Sequence, residues 1–307
     1  MILSVSRRTD IPANYADWFI NRVHDGYLYV RNPMYPEKVS KIAITDDVID
    51  CIVFWSKNPK PMIPYLNKLK NYSYYFQFTI TGYGQDVEPG LPEKKELLKT
   101  FIELSQRIGK ERVIWRYDPI FFTSDYSMEA HIQTFTHFCA VLRGHTNRCV
   151  ISFLDFYGHI TAKMNDLGAK VPNEEEMRKI AREFSKIAKE NGIEIETCAE
   201  KIDLSEEGVK HGHCIDKEFI ENLVGYRMTG GKDKGQRTEC GCMESIDIGK
   251  YSTCMNGCRY CYADNGMESI PDNRLKYDKD SPFLCDRSEK GDIVTERKMK
   301  SLRRKRG

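Results

Sequence analysis

The sequence predicts an α/β protein: a parallel (β/α) barrel or partial barrel of about six strands with a cysteine-rich C-terminal extension. Two observations carry this. Six short β-branched or aromatic runs alternate with helical segments through residues 1–200, the rhythm of βαβ units, whose crossovers make their strands parallel. Strand spacings of roughly 25–50 residues suit a barrel with decorated loops, with an open doubly wound sheet as the alternative. At 307 residues the chain can bury a sizeable core.

The elements follow in order. Ile2–Val5 leads into Ser-Arg-Arg-Thr-Asp, and a helix over 13–24 sets Tyr15, Trp18, Phe19 and Val23 at helical spacing. Cys51–Trp55 runs into Ser-Lys-Asn-Pro, and Tyr75–Ile80 into Thr-Gly-Tyr-Gly. A helix over 92–108 closes on Gly109, after which Val113–Trp115 leads into Arg-Tyr-Asp-Pro. A helix over 126–142 precedes Cys149–Leu154, which ends in Asp-Phe-Tyr-Gly. The last helix, 174–190, starts after Asn173 as N-cap and stops at Gly192, before Ile193–Ile195 and Glu-Thr-Cys-Ala-Glu. Residues 1–200 are therefore expected to form the core, 201–290 a cysteine-rich region on its mouth, and 291–307 a basic, flexible tail.

Each run ends in polar residues where strand meets loop, the edge that carries the chemistry of α/β barrels. Arg7, Arg8, Lys57 and Arg116 suit carboxylate or phosphate groups. Asp10, Asp118, Asp155 and Glu200 suit hydroxyls or amines, or pair with those arginines in structural ion pairs. Together they are expected to line a substrate or cofactor cavity. Lys232, Asp233, Lys234, Gln236 and Arg237 form either a solvated loop or a cover over it.

The formal net charge of +2 averages two parts: residues 1–296 carry −5, and seven basic side chains follow Glu296. Such a tail either frays in solvent or contacts a nucleic-acid backbone. No window approaches a membrane-spanning length of apolar residues. The opening Met-Ile-Leu-Ser-Val-Ser-Arg-Arg lacks the pattern of a signal peptide, so a cytoplasmic location without membrane contact is expected. No phosphate-binding glycine loop stands in a strand-to-helix context.

Eleven cysteines in a reducing compartment point to metal ligands, redox groups or core residues rather than disulfides. Cys254, Cys258 and Cys261 form C-x3-C-x2-C, with Tyr260 before the last and Gly257 allowing a tight loop. Three thiolates on a short loop with no fourth close behind suit three irons of a 4Fe–4S cluster better than a closed zinc site. Cys198, Cys214, Cys240 and Cys242 can hold a second 4Fe–4S cluster, can close a structural zinc site, or are ordinary buried thiols. Cys51, Cys139, Cys149 and Cys285 are expected to be core or incidental, and His24, His131, His137, His145 and His159 surface or packed residues. Asp247 and Tyr251, between the two cysteine groups, suit hydrogen bonds to cluster sulfurs or a loop turn.

The C-x3-C-x2-C spacing with its preceding aromatic resembles the cluster motif of the radical S-adenosylmethionine enzymes. That resemblance implies an open iron that chelates S-adenosylmethionine, one-electron cleavage of its sulfonium to a 5′-deoxyadenosyl radical, and an electron donor such as a flavodoxin or ferredoxin. It also implies a full or partial barrel with the cluster at its mouth. In that superfamily the motif follows the first strand, whereas here it follows the sixth. SRRTDIP, VRNP, VFWSKNP, FQFTITGYG, WRYDPI, ETCAE, KDKGQR and C-x-C…C-x3-C-x2-CYA are similar to one bacterial family, a domain of unknown function with a cysteine cluster near its C terminus, over roughly residues 3–290. This implies a late cluster throughout that family, as though its barrel were permuted. The SRRTD and WRYDPI strands loosely resemble those of photoproduct lyases.

Three functions compete. The first is a radical S-adenosylmethionine enzyme acting on an unknown substrate, the second an iron–sulfur electron-transfer or redox-sensing protein, the third a zinc-stabilised nucleic-acid-binding module using the basic tail. Six charged strand ends favour the first over a carrier, and the mildly acidic body disfavours the third.

Overall fold

The computed structural model describes residues 1–264 and 269–304. In chain order the strands are β1 (Ile2–Val5), β2 (Tyr27–Arg31), β3 (Lys38–Ala43), β4 (Cys51–Ser56), β5 (Tyr74–Thr79), β6 (Val113–Ile120), β7 (Arg148–Phe153), β8 (Glu194–Cys198), β9 (Lys210–Gly212), β10 (Ile246–Asp247) and β11 (Ile293–Glu296). The α-helices are α1 (Ile11–Asn14), α2 (Ala16–Asp25), α3 (Lys94–Ile108), α4 (Met128–Leu142), α5 (Thr161–Asp166), α6 (Glu174–Glu190), α7 (Lys217–Val224) and α8 (Ile270–Arg274).

Eight strands form one parallel sheet in the order β10-β1-β4-β5-β6-β7-β8-β9. All six runs expected from the sequence are in it. The count of six falls short because the cysteine-rich region supplies both edges, β9 and β10. Those strands are three and two residues long, too short for an apolar rhythm to mark them. The chain leaving β9 meets the chain entering β10, where Met243 N–H donates to Ile215 O at 2.9 Å.

Alternation along the strands explains why both faces are covered. Leu3, Phe54, Phe76, Trp115 and Ile151 face the helical layer, whereas Ile2, Val53, Tyr75, Ile114 and Val150 pack with Ile215, Ile220, Met243 and Leu302 from late in the chain. The helical layer is knitted by aromatic stacking: Trp115 lies on Phe135, with centroids 4.9 Å apart, and Phe135 on Phe184 of α6 at 3.8 Å. Helix α6 begins with a capping box between Asn173 and Glu176, as its sequence predicts.

A second sheet, β11-β3-β2, escapes sequence reading because β11 is exposed along its whole length and shows no alternation. It changes the account of the basic tail, expected to fray. Residues 293–296 pair in parallel with β3, and Leu302 is buried; residues 305–307 lie outside the described residues. The anchor is Asp50, a buried carboxylate that accepts from Leu302 N–H at 2.7 Å, Ser301 Oγ at 2.5 Å, Tyr226 Oη at 2.7 Å and the Met1 α-amino group.

Burial alone would raise the pKa of Asp50, but these bonds hold it below the ordinary 3.8. Its stabilisation is therefore complete above the unfolded-state value and lost as pH falls through the lower folded value. Asp50→Ala is expected to cost about 2–3 kcal/mol at pH 7. Because that contribution disappears in acid, the gap from wild type should narrow in urea titrations as pH falls through the folded-state value, which lies below the ordinary 3.8. An equal gap at every pH would contradict it.

Candidate functional site

A cavity of about 510 Å³ opens at the C-terminal ends of the sheet strands. Its wall is built from residues in or just after the C-terminal parts of β1, β4, β5, β6, β7 and β8, and two loops, 235–242 and 254–263, complete it. Arg7, Arg8, Asp10, Lys57, Arg116, Asp118 and Asp155 all line it. Glu200 does not. Its Oε1 accepts from Phe153 N–H at 2.8 Å, bracing the β7 end, and burial pushes its carboxyl up to about 7.

The partners of these charges sort them by role. Asp10 is fully occupied: it accepts from Ser56 Oγ (2.7 Å), Lys57 N–H (2.8 Å), Ala13 N–H (3.0 Å) and Asn256 Nδ2 (2.8 Å). It ties the β1 and β4 ends to the cysteine loop and has no capacity left for substrate. Lys57 donates to Glu88 at 2.8 Å; that buried carboxylate also accepts from Thr81 Oγ1 (2.9 Å), Lys94 and Tyr260. Burial opposes ionisation of Glu88, yet the two lysines outweigh it and hold the group at about 2. Arg116 makes a two-point pair with Asp118, at 3.1 and 2.5 Å, and Arg7 lies 3.6 Å from Asp247. Asp155 pairs with Arg237 of the KDKGQR segment, so that loop does reach the cavity. Arg8 differs: it meets no carboxylate among the described residues, and its guanidinium lies 5.2 Å from the Tyr251 ring centroid. Its Nη1 donates to Gly249 O at 3.4 Å.

The loop bearing Cys254, Cys258 and Cys261 faces the same cavity. Gly257 turns it at φ +65°, as its sequence predicts. The loop is seated on residues 84–91: Gly90 N–H donates to Asn256 O at 3.0 Å, and Arg259 N–H to Val87 O at 3.0 Å. Tyr15 Oη donates to Thr253 O at 2.5 Å and Tyr262 Oη to Arg7 O at 2.7 Å. Asn14 Nδ2 points at the Cys254 sulfur, 3.9 Å away. The N–H groups of Asn256, and of Ala263 and Asp264, face the sulfurs of Cys254 and Cys261. Burial raises all three thiols above the ordinary thiol value, Cys258 to about 12. The donor set is three thiols on one loop, Cys258 buried and Cys254 and Cys261 half-buried, with N–H groups aimed at sulfur and open cavity beside them, chemistry that would suit an iron–sulfur cluster.

Residues 2–263 match a family described as "Domain of unknown function (DUF1848)". The chain belongs to that family. No curated protein and no solved structure matches it.

In this DUF1848 chain the other four cysteines converge on the same cavity. Cys198 ends β8, Cys214 follows β9, and Cys240 and Cys242 precede β10. The Cys198 and Cys214 sulfurs are 2.7 Å apart, with Cys240 and Cys242 on the same cavity wall, where Cys242 Sγ accepts from Ile215 N–H at 3.4 Å. Bonds from neighbouring S–H groups hold Cys198 well below the ordinary thiol range and Cys240 at about 6. Among the described residues no group of three or more His, Cys, Asp or Glu side chains stands ready-made to hold a metal ion. Cys51, Cys139, Cys149 and Cys285 are buried apart from these groups, and His131 is packed, its Nδ1 2.8 Å from Tyr117 Oη.

Sequence reasoning missed Glu88, which carries no motif, and Gly90, whose need for a bare Cα shows only in three dimensions. Asp247 is a strand lock: it accepts from Ser4 Oγ, Ser6 Oγ and Arg7 N–H at 2.9, 2.5 and 2.8 Å. No helix among the described residues is long and apolar enough to cross a membrane.

Proposed function

We propose that this DUF1848 chain is a radical S-adenosylmethionine enzyme, with Cys254, Cys258 and Cys261 holding a 4Fe–4S cluster and the eight-stranded sheet curling as a partial barrel around the substrate. One observation carries the reading. In spatial order the sheet begins with β10, then β1 and β4, and the cysteine loop follows β10. The motif that comes last in sequence thus follows the first strand in space, the placement expected of that superfamily with the chain permuted.

When bound, the cluster would supply one electron to the sulfonium of S-adenosylmethionine. The chain's own residues do the rest. Asn256, held by Asp10, and the seat on residues 84–91 fix the loop against the β1 and β4 ends. Arg8 is placed to receive a carboxylate or phosphate, and the two cysteine loops form part of the cavity wall. A plain electron carrier has no use for a cavity of about 510 Å³ lined by charges, which disfavours that alternative. The electron donor is proposed to be a small flavin or iron–sulfur protein.

The test is direct. Anaerobically purified protein should contain iron and sulfide and, with dithionite and S-adenosylmethionine, should release 5′-deoxyadenosine. Iron-loaded protein that releases none, with no spectral response to S-adenosylmethionine, would leave an electron-transfer or sensing role as the better account.

A further inference from the structure

The four thiols opposite the proposed cluster loop have no part in that reaction, and their arrangement points to a separate centre. We propose that Cys198, Cys214, Cys240 and Cys242 bind one tetrahedral thiophilic ion of the zinc class, which clasps the two edges of the eight-stranded sheet.

The spacing separates the candidates. Tetrahedral Zn–S bonds of about 2.3 Å set the sulfurs about 3.8 Å apart. Here the Cys198 and Cys214 sulfurs lie 2.7 Å apart, and Cys240 and Cys242 line the same cavity beside them. Sulfurs so close must part by about an ångström to admit a single ion, within reach of side-chain rotation. A cube of four irons holds its thiolates much farther apart and would require the backbone to open.

The surroundings suit an anionic tetrathiolate. Arg116 Nη1 donates to Cys214 Sγ at 2.7 Å, and Ile215 N–H to Cys242 Sγ at 3.4 Å. Such donors balance excess negative charge on metal-bound sulfur. Gly241 lets the pair Cys240 and Cys242 turn together, because a Cβ there would stand 2.0 Å from the His213 ring. His213 Nδ1 is itself buried with no hydrogen-bond partner among the described residues. Binding exchanges the S–H protons still present for the ion and releases them to solvent, with no change of oxidation state.

Position gives the ion a task. Cys198 and Cys214 flank β9 at one edge of the sheet, and Cys240 and Cys242 lead into β10 at the other. Between them only the Met243–Ile215 contact joins the two edges by backbone hydrogen bonding among the described residues. The ion would lock the edges together and fix Arg116, and with it that wall of the cavity.

Metal analysis of the full chain tests this independently of the proposed reaction. Wild type is expected to carry one zinc per chain, and so is the triple variant Cys254→Ala/Cys258→Ala/Cys261→Ala. Cys198→Ala and Cys242→Ala should lose it, while Cys139→Ala, from a different part of the core, should keep it. Since the first two can misfold, wild type grown in cobalt supplies a second measurement. Sulfur-to-cobalt charge-transfer bands with visible absorption of tetrahedral intensity are expected. Zinc-free wild type with about eight irons would replace the proposal with a second cluster. A Cys198–Cys214 disulfide in zinc-free protein, or octahedral cobalt spectra, would also overturn it. Failure of 5′-deoxyadenosine release with one zinc present would touch only the proposed reaction.

Discussion

Replacing Cys254, Cys258 and Cys261 together by Ala is expected to give a folded, colourless protein that releases no 5′-deoxyadenosine above background. The fold should survive because the loop does not depend on its sulfurs. It is held by Asn256 on Asp10, by Gly90 on the Asn256 carbonyl, and by Tyr15 and Tyr262 on backbone oxygens. Each removed side chain is small, so the stability cost should stay near 1 kcal/mol per site. Iron should fall from about four per chain to none, since no other thiol of the loop can replace the three. Far-ultraviolet circular dichroism, iron content and the cleavage assay on one preparation would check this. Retained iron with retained cleavage would assign the cluster elsewhere.

Gly90→Ala should produce nearly the same loss without touching a ligand. A Cβ at this position would sit 2.4 Å from Met255 O and 2.7 Å from Asn256 O. Both are backbone atoms, so no side-chain rotation relieves the clash. The loop must lift, breaking the Gly90–Asn256 hydrogen bond and dragging Cys254 and Cys258 out of register. A cost of about 2–4 kcal/mol is expected, with iron occupancy falling severalfold. Gly158→Ala is the control, because a Cβ there meets nothing within 4 Å. It should shift thermal unfolding negligibly. Equal iron in the two variants would show that the loop does not need its seat.

The sequence exposed the central strands because each is a compact apolar run ending in polar residues, as Cys51–Trp55 does before Ser56 and Lys57. It also put seven charged residues around one cavity, since the ends of parallel strands share a side. It could not tell which charges are already spent. Asp10 and Arg8 stand two residues apart, yet one is saturated by four donors and the other meets no carboxylate among the described residues. Apart from the local Ala13 N–H, contacts from residues 56–57 and 249–256 make that difference. β10 and β11 were illegible for a related reason: short or wholly exposed strands exist because a partner is there, and local pattern does not encode the partner.

The pairing of β1 with β10 has a consequence for how the protein is made. Leu3 is matched to Ile246 and Ser4 to Asp247, while Lys38–Lys41 wait for Ile293–Glu296. Residues 3–4 and 38–41 therefore lack these partners until residues 246–296 have been synthesised. Such long-range closure is slow, and in the interval the open apolar edge of β1 is exposed to wrong partners. Refolding should consequently be limited by docking of the late segment onto the early one, and the nascent chain should gain from a chaperone during that wait.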